Sequence, residues 1–386
     1  MRSELSSTSI LMPIRAIALA IIFLLSAAIT AAPGFPAELP LSAPVLAVET
    51  AAGDALLLLD VTTGAQRELR LGTGFHRLWG FSPDGCRLLY TLNSAGSAGQ
   101  LYSARLDGSD ARTLVSMPDR PPGEWGVWDA QWSPRGDRIA FVMRQRDPAR
   151  TLTGGWEHRI GWIPADGGVP AFYSVSGDEH TPRWSPDGVW LAYVSYETGG
   201  TGSAQVREAE MWVVSADGIT KYRLTNFPSG NVSMPRWSPD GELIGFVYSP
   251  SANNDTLWMI GNAPDAQPTQ LSYATSLALD LTWLPDSTAM VAALRDFRDV
   301  AENRLWQIPL VGIADQTAFL LADDPLARYA DYPRFSADGR YLAIRSEYAL
   351  SLLDRSTGVW SALDVPIANT PPHWTPAAFT GEAACA

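Results

Sequence analysis

An aromatic residue, a Ser-Pro-Asp-Gly turn and an alternating apolar run recur six times along the chain at a nearly constant interval. A recurrence of this kind has to be read before any single element is named, because its period dictates the architecture. The copies are "GFSPDGCRLLYTL" from Gly80, "QWSPRGDRIAFVM" from Gln131, "TPRWSPDGVWLAYVS" from Thr181, "RWSPDGELIGFVY" from Arg236, "TWLPDSTAMVAAL" from Thr282 and "RFSADGRYLAIRS" from Arg334. Their aromatic anchors are Phe81, Trp132, Trp184, Trp237, Trp283 and Phe335, spaced by 51, 52, 53, 46 and 52 residues.

Each copy reads as a strand ending on the aromatic residue, a tight turn, and a second strand with one buried face. Pro presets φ for the turn, and Gly takes the positive-φ position that reverses the chain. Arg135 stands in place of Asp, Ala337 in place of Pro and Ser287 in place of Gly, the last at a cost of about 1 kcal/mol if its backbone is left-handed. Between the copies lie second hairpins such as "LYSARLDGSDARTLV" from Leu101 and "MWVVSADGITKYRLT" from Met211. A unit is therefore four strands in about 50 residues, the period of a β-propeller, in which four-stranded blades pack around a channel.

The folded part opens with "PVLAVET" and "ALLLLDVTTGAQREL", which supply the second, third and fourth strands of a blade but no first. At the other end "TPPHWTPAAF", from Thr370 to Phe379, resembles "TPRWSPDG" and has no blade of its own. The expected fold is all-β, a seven-bladed propeller whose ring is closed by the C-terminal strand; six blades with loose ends are the alternative. The expected boundaries are a signal peptide over 1–32, a short linker over 33–44, the propeller over 45–379 and a tail over 380–386.

"WSPDG" followed by "LAYVS" resembles the WD40-like repeat of TolB-like propellers, shared with tricorn-like and dipeptidyl-peptidase-type propellers. The resemblance runs from about Pro44 to Phe379 and implies the architecture, while leaving the activity open, since a propeller is a scaffold for many functions. Peptidase relatives add a hydrolase domain with a Gly-x-Ser-x-Gly elbow, a motif missing here. Walker, dinucleotide, Cys-x-x-Cys and His-Glu-x-x-His motifs are missing too. No cofactor, no metal and no catalytic residue is therefore expected.

In a propeller the loops that lead into the inner strands gather at one mouth of the channel. The residues three and four positions before the anchors include Asp129, His180, Ser233, Asp280 and Asp331. As a group they could meet a cation, a sugar or a basic peptide group, or merely cap strands around water. His76, His180 and His373 each precede an inner strand, which invites comparison with propeller lyases of the oligogalacturonate type, whose ligand pattern does not map onto this sequence. The longer loops begin at Arg144, Tyr196 and Arg295. There Arg144, Arg146 and Arg150 beside Trp156 could grip an anionic or carbohydrate partner.

The closure scheme brings the tail to the face where Cys86 begins its strand, so a Cys86–Cys385 disulfide fits an oxidising compartment. Arg2 and Arg15 precede the apolar run Ala16 to Ala32, which ends in small residues, the plan of a secretory signal. An uncleaved N-terminal membrane anchor is the alternative. A formal charge of -13 argues against nucleic acid as a partner. The expected protein is a secreted or periplasmic monomeric binding module that presents a loop-lined face to a protein or glycan; a metal-dependent lyase or hydrolase acting on oligosaccharides is the competing class.

Overall fold

The repeat turns show why the strands begin where they do. At Ser185 the backbone N–H of Gly188 donates to the Ser185 carbonyl (2.8 Å), Trp190 N–H to Ser185 Oγ (2.9 Å) and Val189 N–H to Asp187 Oδ1 (3.0 Å). Gly188 sits at φ +66, so the Ser, Asp and Gly of the motif each close part of the reversal. Ser287 occupies the same left-handed position at φ +61. Arg135, in place of Asp, instead reaches across to the next repeat's turn, its Nε donating to Asp187 O (2.8 Å).

The structure, a computed structural model, describes residues 40–93, 99–117, 123–149, 154–174, 177–199, 206–272, 277–295, 302–311, 318–346, 349–363 and 366–385. The expected signal segment 1–32, most of the linker 33–44 and Arg150 lie outside the described residues. Among the described residues, regular structure is nearly all strand, and no helix is long and apolar enough to cross a membrane.

Among the described residues the strands make five four-stranded antiparallel sheets and one eight-stranded sheet. Separate four-stranded sheets for every repeat were expected; the repeats anchored on Trp184 and Trp237 instead share one sheet. The cause is a single parallel pairing, Ala209 with Asn231, between Val206–Ser215 and Asn231–Trp237. The preceding pair of repeats makes the equivalent bridge, His158 with Asp178, without merging into one sheet.

The first strands of the units are Phe75–Phe81, Trp125–Trp132, Glu179–Trp184, Asn231–Trp237, Leu277–Trp283, Ala330–Phe335 and His373–Trp374. Each lies beside the next, and His373–Trp374 lies beside Phe75–Phe81, so they form a closed circuit. Apolar side chains fill the spaces between sheets: Val247 and Leu257 pack with Leu281, Trp283 and Met290 of the following sheet. Gly245 is glycine because the sheets come close there; a Cβ would run into Met290 Sδ and the Trp283 ring.

The circuit is closed as the termini suggested. Val45–Glu49 pairs with His373–Trp374, Leu46 facing Trp374 and Ala47 facing His373. Thr375 N–H donates to Val45 O (2.9 Å), and Val45 N–H donates to Thr375 Oγ1 (3.0 Å). The tail then turns through Glu382–Cys385, where Glu382 accepts from Leu41 N–H (2.8 Å) and pairs with Arg67. Cys385 is disulfide-bonded to Cys86, their Cα atoms 5.3 Å apart.

Deleting the chain from Thr370 onward removes the closing strand and the cross-link together, whereas Cys86→Ser removes only the cross-link, at an expected cost of about 2–4 kcal/mol. In scanning calorimetry both should unfold earlier than the intact chain, and the truncated one earliest. An unshifted transition after truncation would contradict closure by the tail.

Candidate functional site

Every complete inner strand has a register shift a few residues before its anchor: between Leu78 and Gly80, Trp128 and Gln131, His180 and Arg183, Ser233 and Arg236, Ala278 and Asp280, and Asp331 and Arg334. Such bulges re-aim the side chains that follow them. Asp129, Thr181, Met234 and Tyr332 carry positive φ within these shifts. The outcome is a cavity of about 440 Å³ lined by side chains from the circuit of inner strands, among them Arg77, Asp129, Arg183, Arg236, Asp280 and Arg334.

Its polar wall is a chain of ion pairs that crosses from sheet to sheet. Arg183 Nη1 donates to Asp129 Oδ1 (2.8 Å), Arg236 Nη2 to Asp280 Oδ1 (2.9 Å) and Arg334 Nη2 to Asp280 Oδ2 (2.6 Å). Asp280 is buried, and although burial disfavours its charge, Arg236 and Arg334 hold its carboxyl below the ordinary range. Burial pushes Arg236 down to about 10, with Arg183 and Arg334 adding to the push and Asp280 opposing it. His373 is driven to about 3 by burial and by Arg334, Arg77 and Arg183, so its ring is neutral.

Four guanidinium groups thus face two carboxylates in this wall, a local excess of positive charge on an acidic chain. Glu49 lies 3.7 Å from Arg77, but burial raises its carboxyl to about 7, which weakens it as a counter-ion. Trp79, Tyr332 and the 57% exposed Trp128 supply aromatic surface to the same cavity. Cationic donors beside exposed aromatic faces can hold a carboxylate or an acidic sugar.

The five residues proposed from sequence do not converge. Asp129 and Asp280 line the cavity, but both carboxylates are already engaged by arginine. His180, Ser233 and Asp331 are outside the cavity lining. His180 Nε2 lies 2.9 Å from Asp178 Oδ1, Ser233 faces Val247 in its sheet, and Asp331 accepts from Arg345 Nη1 (2.7 Å). Burial raises the Asp331 carboxyl, with Arg345 and Arg295 pulling the other way. The physical reason is parity: residues three and four before an anchor point to opposite faces of a strand.

The arginines at Arg183, Arg236 and Arg334 were missed, although each directly precedes an anchor in "RW", "RW" and "RF". Among the other histidines, His76 Nε2 accepts from Leu71 N–H (3.1 Å). In the first long loop, the Arg144 guanidinium stacks over Trp156 at 3.8 Å and that of Arg146 lies at 5.4 Å.

Asp280→Asn leaves two arginines without their carboxylate and is expected to cost about 3–5 kcal/mol in chemical denaturation. His373 is neutral in the fold down to about pH 3, while an unfolded histidine takes up a proton near pH 6.5. Its contribution is therefore complete above pH 6.5 and is lost steadily as pH falls toward 3. The stability profile of His373→Gln should be flatter than that of the parent between pH 6.5 and 4; an identical slope would refute the assignment.

No family model matches the sequence. The uncharacterised peptidase YuxL of Bacillus subtilis is 36% identical over 122 residues, which is 31% of this chain and 16% of that protein. The chain's matches span less than half the length of this and the next curated relative. Among solved structures, TolB of Acinetobacter baumannii superposes with a TM-score of 0.50 at 18% identity, over 86% of this chain and 81% of that one. Oligogalacturonate lyase of Vibrio parahaemolyticus gives 0.55 at 13% identity, over 82% and 90%. At these identities the likeness is one of fold, that of a β-propeller built from four-stranded sheets.

Proposed function

We propose that the chain is a seven-bladed propeller that works outside the cytoplasm as a binding module, taking an acidic group of a protein or glycan partner into its arginine-lined cavity. The count of seven treats the eight-stranded sheet as two blades. It is supported by the equivalence of the Ala209–Asn231 and His158–Asp178 bridges, each joining the third strand of one unit to the start of the next. The extracytoplasmic location, secreted or periplasmic, rests on the leader-like N-terminal sequence and on a disulfide suited to an oxidising compartment.

The observation that carries the binding reading is the imbalance of four arginines over two aspartates in the cavity. The cation or basic group considered from sequence is disfavoured, since Asp129 and Asp280 are neutralised by their partners. In this reading the two aspartates act as positioning residues that hold the guanidinium planes in place. A lyase or hydrolase acting on oligosaccharides is the competing class, given the oligogalacturonate lyase that shares the fold, and the peptidase name of a curated relative adds a peptide-cleaving hydrolase to it.

The test is calorimetric titration of the folded chain with an oligouronate, a neutral oligosaccharide, an acidic peptide and a basic peptide, alongside capture from an envelope extract. Acidic ligands should bind, with affinity falling as salt rises and about tenfold or more weaker in Arg183→Gln and Arg334→Gln. Preference for the basic peptide would overturn the reading, and shortening of a bound oligosaccharide in mass spectra would transfer the chain to the enzyme class.

A further inference from the structure

A second cluster of polar side chains lies outside the arginine cavity, where two sheets meet. His158 is on Trp156–Pro164, the third strand of one unit, and Asp178 immediately precedes Glu179–Trp184, the first strand of the next, which carries His180. The parallel bridge between His158 and Asp178 fixes their relative position. At the equivalent bridge of the following units the same two places hold Ala209 and Asn231, so the backbone junction does not itself require these side chains.

One carboxylate oxygen is the focus. His158 Nδ1 and His180 Nε2 each lie 2.9 Å from Asp178 Oδ1. One ligand atom from each of the three residues can be chosen so that all lie within 4.8 Å of one another, and the two imidazole centroids are 4.7 Å apart. Around a tetrahedral ion with bonds of about 2.0–2.1 Å, neighbouring ligand atoms are separated by roughly 3.3 Å, so small side-chain rotations would bring the three onto one centre.

We propose that His158, Asp178 and His180 form a binding site for a single divalent transition-metal ion of the zinc class, clamped between two sheets. Two imidazoles and one carboxylate make an open ligand set, which leaves further positions to water or to an incoming donor. The exposures fit this role: the Asp178 side chain is 6% exposed, those of His158 and His180 20% and 28%.

The surroundings hold the ligand segment still. Tyr196 N–H donates to Asp178 O (2.9 Å), and Glu179 Oε2 accepts from Ile160 N–H (2.8 Å), tying the ligand segment to both neighbouring strands. The Arg144 side chain, opposite His158 across its ladder, is stacked over Trp156.

The proposal is independent of the arginine cavity and is tested without any assay of activity. The full chain, stripped with a chelator and dialysed, is titrated with Zn²⁺ by calorimetry, with bound metal counted by mass spectrometry and cobalt(II) used as a coloured substitute. One equivalent should bind, and thermal unfolding should move upward with free metal. His180→Gln and Asp178→Asn should each weaken binding at least about tenfold. Because Asp178 is buried, the more exposed His180→Gln decides the case if the aspartate variant is misfolded by circular dichroism. No bound zinc in the parent, or unchanged binding in folded His180→Gln, would overturn the assignment.

Discussion

Neighbouring units are joined by a recurring hydrogen bond, made where an indole reaches the inner strand of the unit before it. Trp237 Nε1 donates to Arg183 O (2.9 Å), Trp283 Nε1 to Arg236 O (2.8 Å) and Trp374 Nε1 to Arg334 O (2.9 Å). A buried N–H without a partner is costly; these three indoles find one in a carbonyl of the preceding inner strand, whereas the Trp132 and Trp184 Nε1 atoms are buried without one. In the unit anchored on Trp184 a side chain does related work, Gln131 Oε1 accepting from Trp184 N–H (2.9 Å).

The same constraint builds the cavity. The residue whose carbonyl receives the indole is the one whose side chain enters the channel, so Arg183, Arg236 and Arg334 are held by their backbones and displayed by their side chains. Asp280 then ties two of them across three successive strands. Partly desolvated guanidinium groups are stable there because the carboxylate is shared and fully engaged, and the remaining arginines leave net positive charge where the chain as a whole is acidic. Fold and candidate site are therefore one arrangement of the inner strands.

Much of the architecture was legible because its signals are local and repeated. The anchor, the Ser-Pro-Asp-Gly turn and the alternating run each have a mechanical meaning within a few residues, and the incomplete first and last units pointed to one another. The pairing of Leu46 with Trp374 and the Cys86–Cys385 link follow from that reading. The site was less legible. Grouping residues three and four places before the anchors mixed two strand faces, while the bulges decided which face looked inward. Asp331 therefore went to Arg345, and His180 to Asp178.

The sequence by itself determined the unit, its period, the turn chemistry and the need for the tail to complete the first sheet, since each depends on short-range spacing and on strands that must find partners. Only the tertiary structure decided which charges meet. Arg334 reaches Asp280 across 54 residues of chain, and His158 meets His180 through a carboxylate at the seam between two sheets. Such encounters are set by bulge geometry and by the packing of one sheet on the next, and neither leaves a mark in the order of residues within a single repeat.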